Sequence, residues 1–155
     1  MTDMLTAAAC ISSRHQQEYG EKIDEMKLHK MLYFAQRESL IQTGEPLFEE
    51  QFQGWRYGPV MKQLRQPYQK DKLPTVTEAD MEALKPILDA VFGEFGNMDA
   101  FSLSRLTHGE ISWKASRKGI APTANGSKLM TTEDIRRDAQ RILERQQQLR
   151  QHGLL

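Results

Sequence analysis

The chain has 155 residues, the length of one ordinary domain, and its 21 basic residues balance 21 acidic ones to a formal net charge of zero. A neutral chain lacks the overall field that draws proteins to nucleic acid or to an anionic membrane, so we expect neither as a partner. The sequence contains no run of about 20 apolar residues, which excludes a transmembrane helix. The single Cys10 forms no internal disulfide, so we expect a reducing, cytoplasmic location.

Helical periodicity dominates the N-terminal part of the chain. The spacing of apolar residues from Leu5 predicts a helix over 6–19 that ends at Gly20. Asp24 is a suitable N-cap for a second helix, predicted over 25–42. Because this second helix is apolar on more than one side, we expect it to be the central helix of the fold.

The middle of the chain mixes strand and helix signals. Aromatic residues within 47–55 favour a short strand there. Proline is favoured at the first position of a helix, so Pro59 is predicted to open a helix that runs towards Tyr68. Tyr57-Gly58 is then a tight elbow between the two elements.

The clearest helical pattern begins after Thr77, which is predicted to cap it. A shorter helix over 101–108, capped by Asn97 or Asp99, and a turn or two from Ile111 follow. The apolar stripe of the long helix consists of Met81, Leu84, Leu88, Val91 and Phe95, widened by Ile87 and Phe92 and interrupted by Pro86.

The last part of the chain is predicted as loop, short strand and helix. Residues 128–130 are expected to pair with the segment near Phe52, and Thr131-Thr132 to cap a final helix that frays from Gln146. The sequence therefore predicts a mainly α, compact single-domain helical bundle with a small two- or three-stranded β-sheet. The domain is expected over 5–145, with 146–155 as a frayed tail.

No enzymatic signature is present. The common nucleophile, phosphate-binding and metal-binding motifs are missing, so we expect no catalytic residue, no metal site and no cofactor. His29, four residues after Glu25, is interpreted as an exposed helical pair, and His108 as a residue that favours a helix end. The arginines of the last helix alternate with acids, which favours a solvated face over a DNA-reading helix.

Charge is distributed unevenly despite the neutral total. Basic residues predominate over 56–72 and acidic residues over 78–99. The two segments either face each other or solvent, or steer a charged protein partner. Trp55, Tyr57 and Trp113 lie beside turns, where each is either a packing residue or an interface anchor.

Four sequence blocks resemble a known family. They are K-L-H-K-M-L-Y-F-A at 27–35, T-G-E-P-L-F at 43–48, G-W-R-Y-G-P-V at 54–60, and L-S-R-L-T-H at 103–108 followed by Trp113-Lys114. Their order and spacing resemble the Panacea domain, a family that includes the SocA antitoxin and phage-associated GepA-like proteins. The resemblance extends from about residue 5 to residue 145 and departs from the family at 109–112.

The resemblance implies a mostly helical antitoxin, with prophage association, that neutralises a co-encoded toxin by direct binding. The alternatives are a protease adaptor and a phage protein that binds a host factor; a DNA-binding autorepressor fits poorly with zero net charge, and homo-oligomerisation stays open. We expect the toxin to dock on aromatic anchors beside the elbow, with basic side chains as a positive rim. The predicted partner-binding residues are Lys27, Lys30, Tyr33, Trp55, Arg56 and Tyr57.

Overall fold

The computed structural model describes all residues from 1 to 155 and contains seven helices and three strands. The predicted fold class, mainly α with a small sheet, is confirmed. No helix combines the length and the hydrophobicity needed to cross a membrane. In chain order the elements are α1 (Met4–Tyr19), α2 (Glu25–Thr43), β1 (Phe52–Trp55), β2 (Gly58–Val60), α3 (Lys62–Gln69), α4 (Glu78–Phe95), α5 (Ala100–Thr107), α6 (Ile111–Ser116), β3 (Leu129–Met130) and α7 (Thr132–Gln151).

Helix α2 is the central element, as its sequence predicts. Its N-terminus is capped by the carboxylate of Asp24, which accepts the Lys27 backbone N–H at 2.7 Å. Its C-terminus is closed by Gly44, whose φ of 78° is the left-handed conformation that glycine adopts without strain. Every residue from Lys27 to Arg37 is buried, because α1, α4, α5, α7 and β2 all pack around this helix.

Helix α4 packs an apolar face against α2. Thr77 caps its start as predicted, and a full capping box is present, in which Thr77 and Asp80 each accept the backbone N–H of the other. Phe95, near its C-terminal end, stacks on Phe34 with ring centroids 3.9 Å apart. Within the predicted stripe, Met81 is partly buried and the other residues are buried. The buried residues are Leu84, Ile87, Leu88, Val91, Phe92 and Phe95.

The sheet is antiparallel with strand order β2-β1-β3, and Phe52 pairs with Met130 as predicted. The prediction that Pro59 opens a helix is wrong. Residues 58–60 form β2, joined to β1 by the two-residue turn Arg56-Tyr57, and α3 begins only at Lys62. Proline is tolerated here because β2 is an edge strand, and the φ of 112° at Gly58 is accessible to glycine.

Helix α7 packs along α2 and α6 and begins at its predicted cap, Thr131. It continues through the segment predicted to fray and ends at Gln151, with mostly exposed side chains over its last turns. Its inner face is not purely apolar, because Asp138 is buried between Ile135 and Ala139. The interpretation of the charged residues of α7 as one solvated face is therefore wrong for Asp138.

Candidate functional site

The structure divides the six predicted partner-binding residues into a buried set and a surface set. Lys27, Lys30 and Tyr33 on α2 are buried, and Tyr33 has no exposed surface at all. The side chain of Tyr33 therefore offers no anchor to a partner in this conformation. The surface set consists of Trp55, which is partly buried, and of Arg56 and Tyr57 at the hairpin tip, which are exposed.

Tyr33 instead lies at the centre of a buried polar network. Its hydroxyl is 2.6 Å from Glu110 Oε2 and 2.8 Å from Asp138 Oδ2. Arg37 Nη1 pairs with the other oxygen of Glu110 at 3.0 Å. Burial, followed by the charges of Glu110 and Asp138, raises the pKa of Tyr33 well above its usual value, so the phenol stays protonated and donates. The network joins α2, α6 and α7.

Asp138 also holds the start of α6. The N-cap residue Glu110 makes no capping hydrogen bond with its own side chain. Asp138 replaces that cap, accepting the backbone N–H of Ile111 at 2.6 Å and the Ser112 hydroxyl at 2.5 Å. Sequence reasoning missed this role, although Asp138 follows Ile135 by three residues on the apolar stripe and so lies on the inner face of α7.

Aromatic side chains are exposed where the β1–β2 turn meets α5. Tyr57 is 49% exposed, and the Arg56 guanidinium lies 5.0 Å from its ring centroid. The Ser104 hydroxyl donates to the Tyr57 carbonyl at 2.5 Å, which attaches the turn to α5. Phe101, one turn before Ser104 on α5, is 69% exposed. We call the surface formed by Trp55, Arg56, Tyr57 and Phe101 the hairpin face.

Phe101 is absent from the predicted site. Its sequence signal is its spacing: Leu103 and Thr107 define the buried side of α5, and Phe101 falls outside that repeat.

Two contacts fix β1 beneath the hairpin face. The Trp113 indole N–H donates to the Trp55 carbonyl at 2.9 Å. Arg117, which is buried, donates to the carbonyls of Gly54 at 3.2 Å and Ala124 at 2.7 Å, and also to Asn125. The guanidinium therefore connects the loop over 119–127 to β1, and these hydrogen bonds restrain the strand that leads to the exposed aromatic residues.

A cavity of about 280 Å³ lies beside the hairpin face. We call it the hairpin cavity. It is lined by Glu25, Met26, His29, Lys30, Trp55, Tyr57, Val60, Arg65 and Asn125.

His29, in the wall of the hairpin cavity, is buried, so its interpretation as a member of an exposed pair is wrong. Its Nδ1 accepts the Met61 backbone N–H at 3.0 Å, and its Nε2 lies 3.0 Å from Glu25. This arrangement requires a neutral ring with the proton on Nε2. Burial lowers the pKa of His29 to about 4, which agrees with that tautomer.

Lys30 is the buried cation of the hairpin cavity. Its Nζ donates one hydrogen bond, to the Pro59 carbonyl at 3.1 Å, and forms no ion pair. Burial lowers the pKa of Lys30 to about 8, against the opposing influence of Glu25 and Asp24, so the ammonium is still largely charged at pH 7. The Glu25 carboxylate itself is bonded by Arg65, His29 and Gln69.

His108 ends α5, as predicted, and stacks on Trp113 with ring centroids 4.1 Å apart. Its Nε2 is buried without a hydrogen-bond partner, and burial lowers the pKa of the ring. No cluster of three or more His, Cys, Asp or Glu side chains is arranged to hold a metal ion.

Comparison with known proteins identifies the family. No curated protein and no solved structure gives a significant match to the chain. The family model described as Antitoxin SocA-like, Panacea domain matches residues 28–114, a segment that includes most of α2, the hairpin and α5. This match covers more than half of the 155 residues. The chain therefore belongs to the SocA-like antitoxin family, with a Panacea domain.

Proposed function

We propose that this protein is the antitoxin of a toxin–antitoxin pair, which neutralises a co-encoded protein toxin by binding it through the hairpin face. The family match supports the antitoxin role. The observation that supports this docking surface is the exposure of two aromatic side chains, Tyr57 on the turn and Phe101 on α5, on two elements that the Ser104–Tyr57 hydrogen bond joins.

The physics of protein interfaces favours this face. Binding energy is concentrated in a few large anchors, among which tyrosine and arginine are enriched. Anchors on a rigid support lose little conformational entropy on binding. Ser104 bonds the carbonyl of Tyr57 in the turn, and Arg117 bonds the carbonyl of Gly54 in the preceding strand. The backbone at Tyr57 therefore has little conformational freedom to lose on binding.

The charge around the hairpin face favours an acidic partner surface. Arg56, Lys62 and Arg105 are exposed on the turn, on α3 and on α5. A rim of one sign accelerates association with a partner of opposite sign and specifies its orientation. Neutralisation by binding needs no reactive group, so we propose a non-enzymatic role. We propose the cytoplasm as its location.

Coexpression tests the proposal. The reading frame next to this gene is induced alone or together with the antitoxin, and we expect growth arrest in the first case and rescue in the second. The two proteins should then copurify as a complex. A neighbour that stops growth without being rescued or bound would contradict the antitoxin role.

The docking surface is tested with Tyr57→Ala. Truncating an interface anchor costs about 2 kcal/mol or more, which is about 30-fold in affinity. Because Tyr57 is half exposed, its removal should change the melting temperature little. The control is Leu154→Ala, which truncates an exposed apolar residue near the C-terminus and should leave affinity unchanged. Equal affinities for the two variants would place the docking surface elsewhere.

A further inference from the structure

We infer that the hairpin cavity is a pocket for one acidic side chain of the partner protein, with Lys30 as the counter-ion of that carboxylate. The inference rests on the proposed function, because it names the chemistry of the partner group that meets this site. The cavity shares Trp55 and Tyr57 with the hairpin face, so a partner seated on Tyr57 covers its mouth.

The first argument is the incomplete pairing of Lys30. An ammonium group has three N–H donors, and the structure gives Nζ one acceptor, the Pro59 carbonyl. Burying a charge is costly unless it is paired and hydrogen-bonded, and Lys30 is 1% exposed without an ion pair. A carboxylate inserted into the cavity supplies both the missing charge and the missing acceptors.

The second argument is the charge of the other groups in the cavity wall. Burial would raise the pKa of Glu25, but hydrogen bonds from Gln69, His29 and Arg65 lower it overall, so Glu25 is an ionised and fully bonded acid. His29 is neutral. Arg65 uses only its Nε in the pair with Glu25, which leaves the outer nitrogens of its guanidinium for a second anion. The lining therefore favours a negative group over a positive or a neutral one.

The third argument is size and shape. A volume of about 280 Å³ lies just below the range of small-molecule pockets, which span about 300–1,000 Å³. The cavity thus admits one side chain and excludes a folded element. The rings of Trp55 and Tyr57 supply apolar wall for the methylene groups of an aspartate or a glutamate, while Lys30 meets the carboxylate.

A pair of small probes tests the pocket without the toxin. N-acetylglutamate N-methylamide and its glutamine analogue have the same shape and differ in one charge. Both are titrated into ¹⁵N-labelled protein, with the Trp55 indole N–H and the Met61 amide as reporters. We expect saturable shifts with the acid and much smaller shifts with the amide. Equal responses to acid and amide in the wild-type protein overturn the inference, and this comparison needs no variant.

Variants then assign the counter-ion. Lys30→Met keeps an unbranched side chain one heavy atom shorter and removes the charge, and we expect it to abolish the response to the acid. Lys70→Met removes an exposed lysine at the C-terminal end of α3, outside both the cavity lining and the basic rim, and should respond as the wild type does. A folded Lys30→Met protein that still discriminates acid from amide overturns the assignment.

The toxin complex separates this inference from the proposed function. Loss of one member of a desolvated charge pair at an interface should weaken the complex about 30-fold or more. If the wild-type complex forms and folded Lys30→Met binds equally well, the inference fails and the antitoxin role stands. If the acid binds but no toxin complex forms, the proposed function fails and the acid specificity of the cavity is supported.

Discussion

Tyr33→Phe is the sharpest test of the buried network, because it removes one oxygen and leaves the ring in place. The hydroxyl faces Glu110 and Asp138 at 2.6 Å and 2.8 Å, and both carboxylates are buried. A hydroxyl has one proton and donates to one acceptor at a time, so we count one charge-assisted hydrogen bond. Such a bond contributes about 1.5–3 kcal/mol to the free energy of unfolding. The melting temperature should then fall by about 3–12 °C for a chain of this length.

The measurement is urea unfolding followed by the fluorescence of Trp55 and Trp113. The matched control is Tyr57→Phe, which removes the hydroxyl of an exposed tyrosine and should change stability by less than about 0.5 kcal/mol. Folded Tyr33→Phe should still bind the toxin with wild-type affinity, because Tyr33 has no exposed surface. Wild-type stability of the variant, or weakened binding at unchanged stability, would refute the assignment of Tyr33 to the scaffold.

Three further predictions concern the core, the loop and the pH dependence. Leu88→Ala, at a site 2% exposed, should cost about 2–5 kcal/mol in urea unfolding, whereas the exposed Leu143→Ala should cost little. Arg117→Ala should speed proteinase K cleavage within 119–127, and an unchanged cleavage pattern would contradict its role in holding that loop. Since burial lowers the pKa of His29 to about 4, the unfolded chain binds a proton more readily, and the free energy of unfolding should fall as pH drops from about 6.5 towards 4. This slope is at most about 1.4 kcal/mol per pH unit, and His29→Asn should flatten it in unfolding titrations.

Local signals in the sequence account for most of the helices. Asp24, Thr77 and Thr131 were each recognisable as caps because a short polar side chain precedes an apolar repeat, and each caps the predicted helix. The pairing of 128–130 with the segment near Phe52 is likewise confirmed. The caps depend on a few neighbouring residues, so the sequence alone is enough to predict them.

The turn at Pro59 shows where local rules fail. Proline is compatible both with the first turn of a helix and with an edge strand, because neither position requires a backbone N–H donor. Packing decides between them: the Pro59 carbonyl accepts a hydrogen bond from Lys30, and the Met61 N–H donates to His29, which fixes an extended chain against α2. Such contacts join residues about 30 positions apart and have no local signature.

The same limit applies to the candidate site. Lys30, Tyr33 and Asp138 are residue types that are usually exposed or partly exposed, so a sequence places them at the surface by default. Here each is buried beside a polar partner contributed by a distant element. Their burial is a property of the assembled fold, and no single segment encodes it.

The K-L-H-K-M-L-Y-F-A block at 27–35 is therefore mainly a scaffold element. Residues 27–35 are buried without exception, so their side chains determine how α2 packs, and only His29 and Lys30 also line the hairpin cavity. Under the proposed function, specificity for the toxin comes from the hairpin cavity and from exposed positions, and the family-matched segment presents such positions at Arg56 and Tyr57 in the turn and at Phe101 on α5.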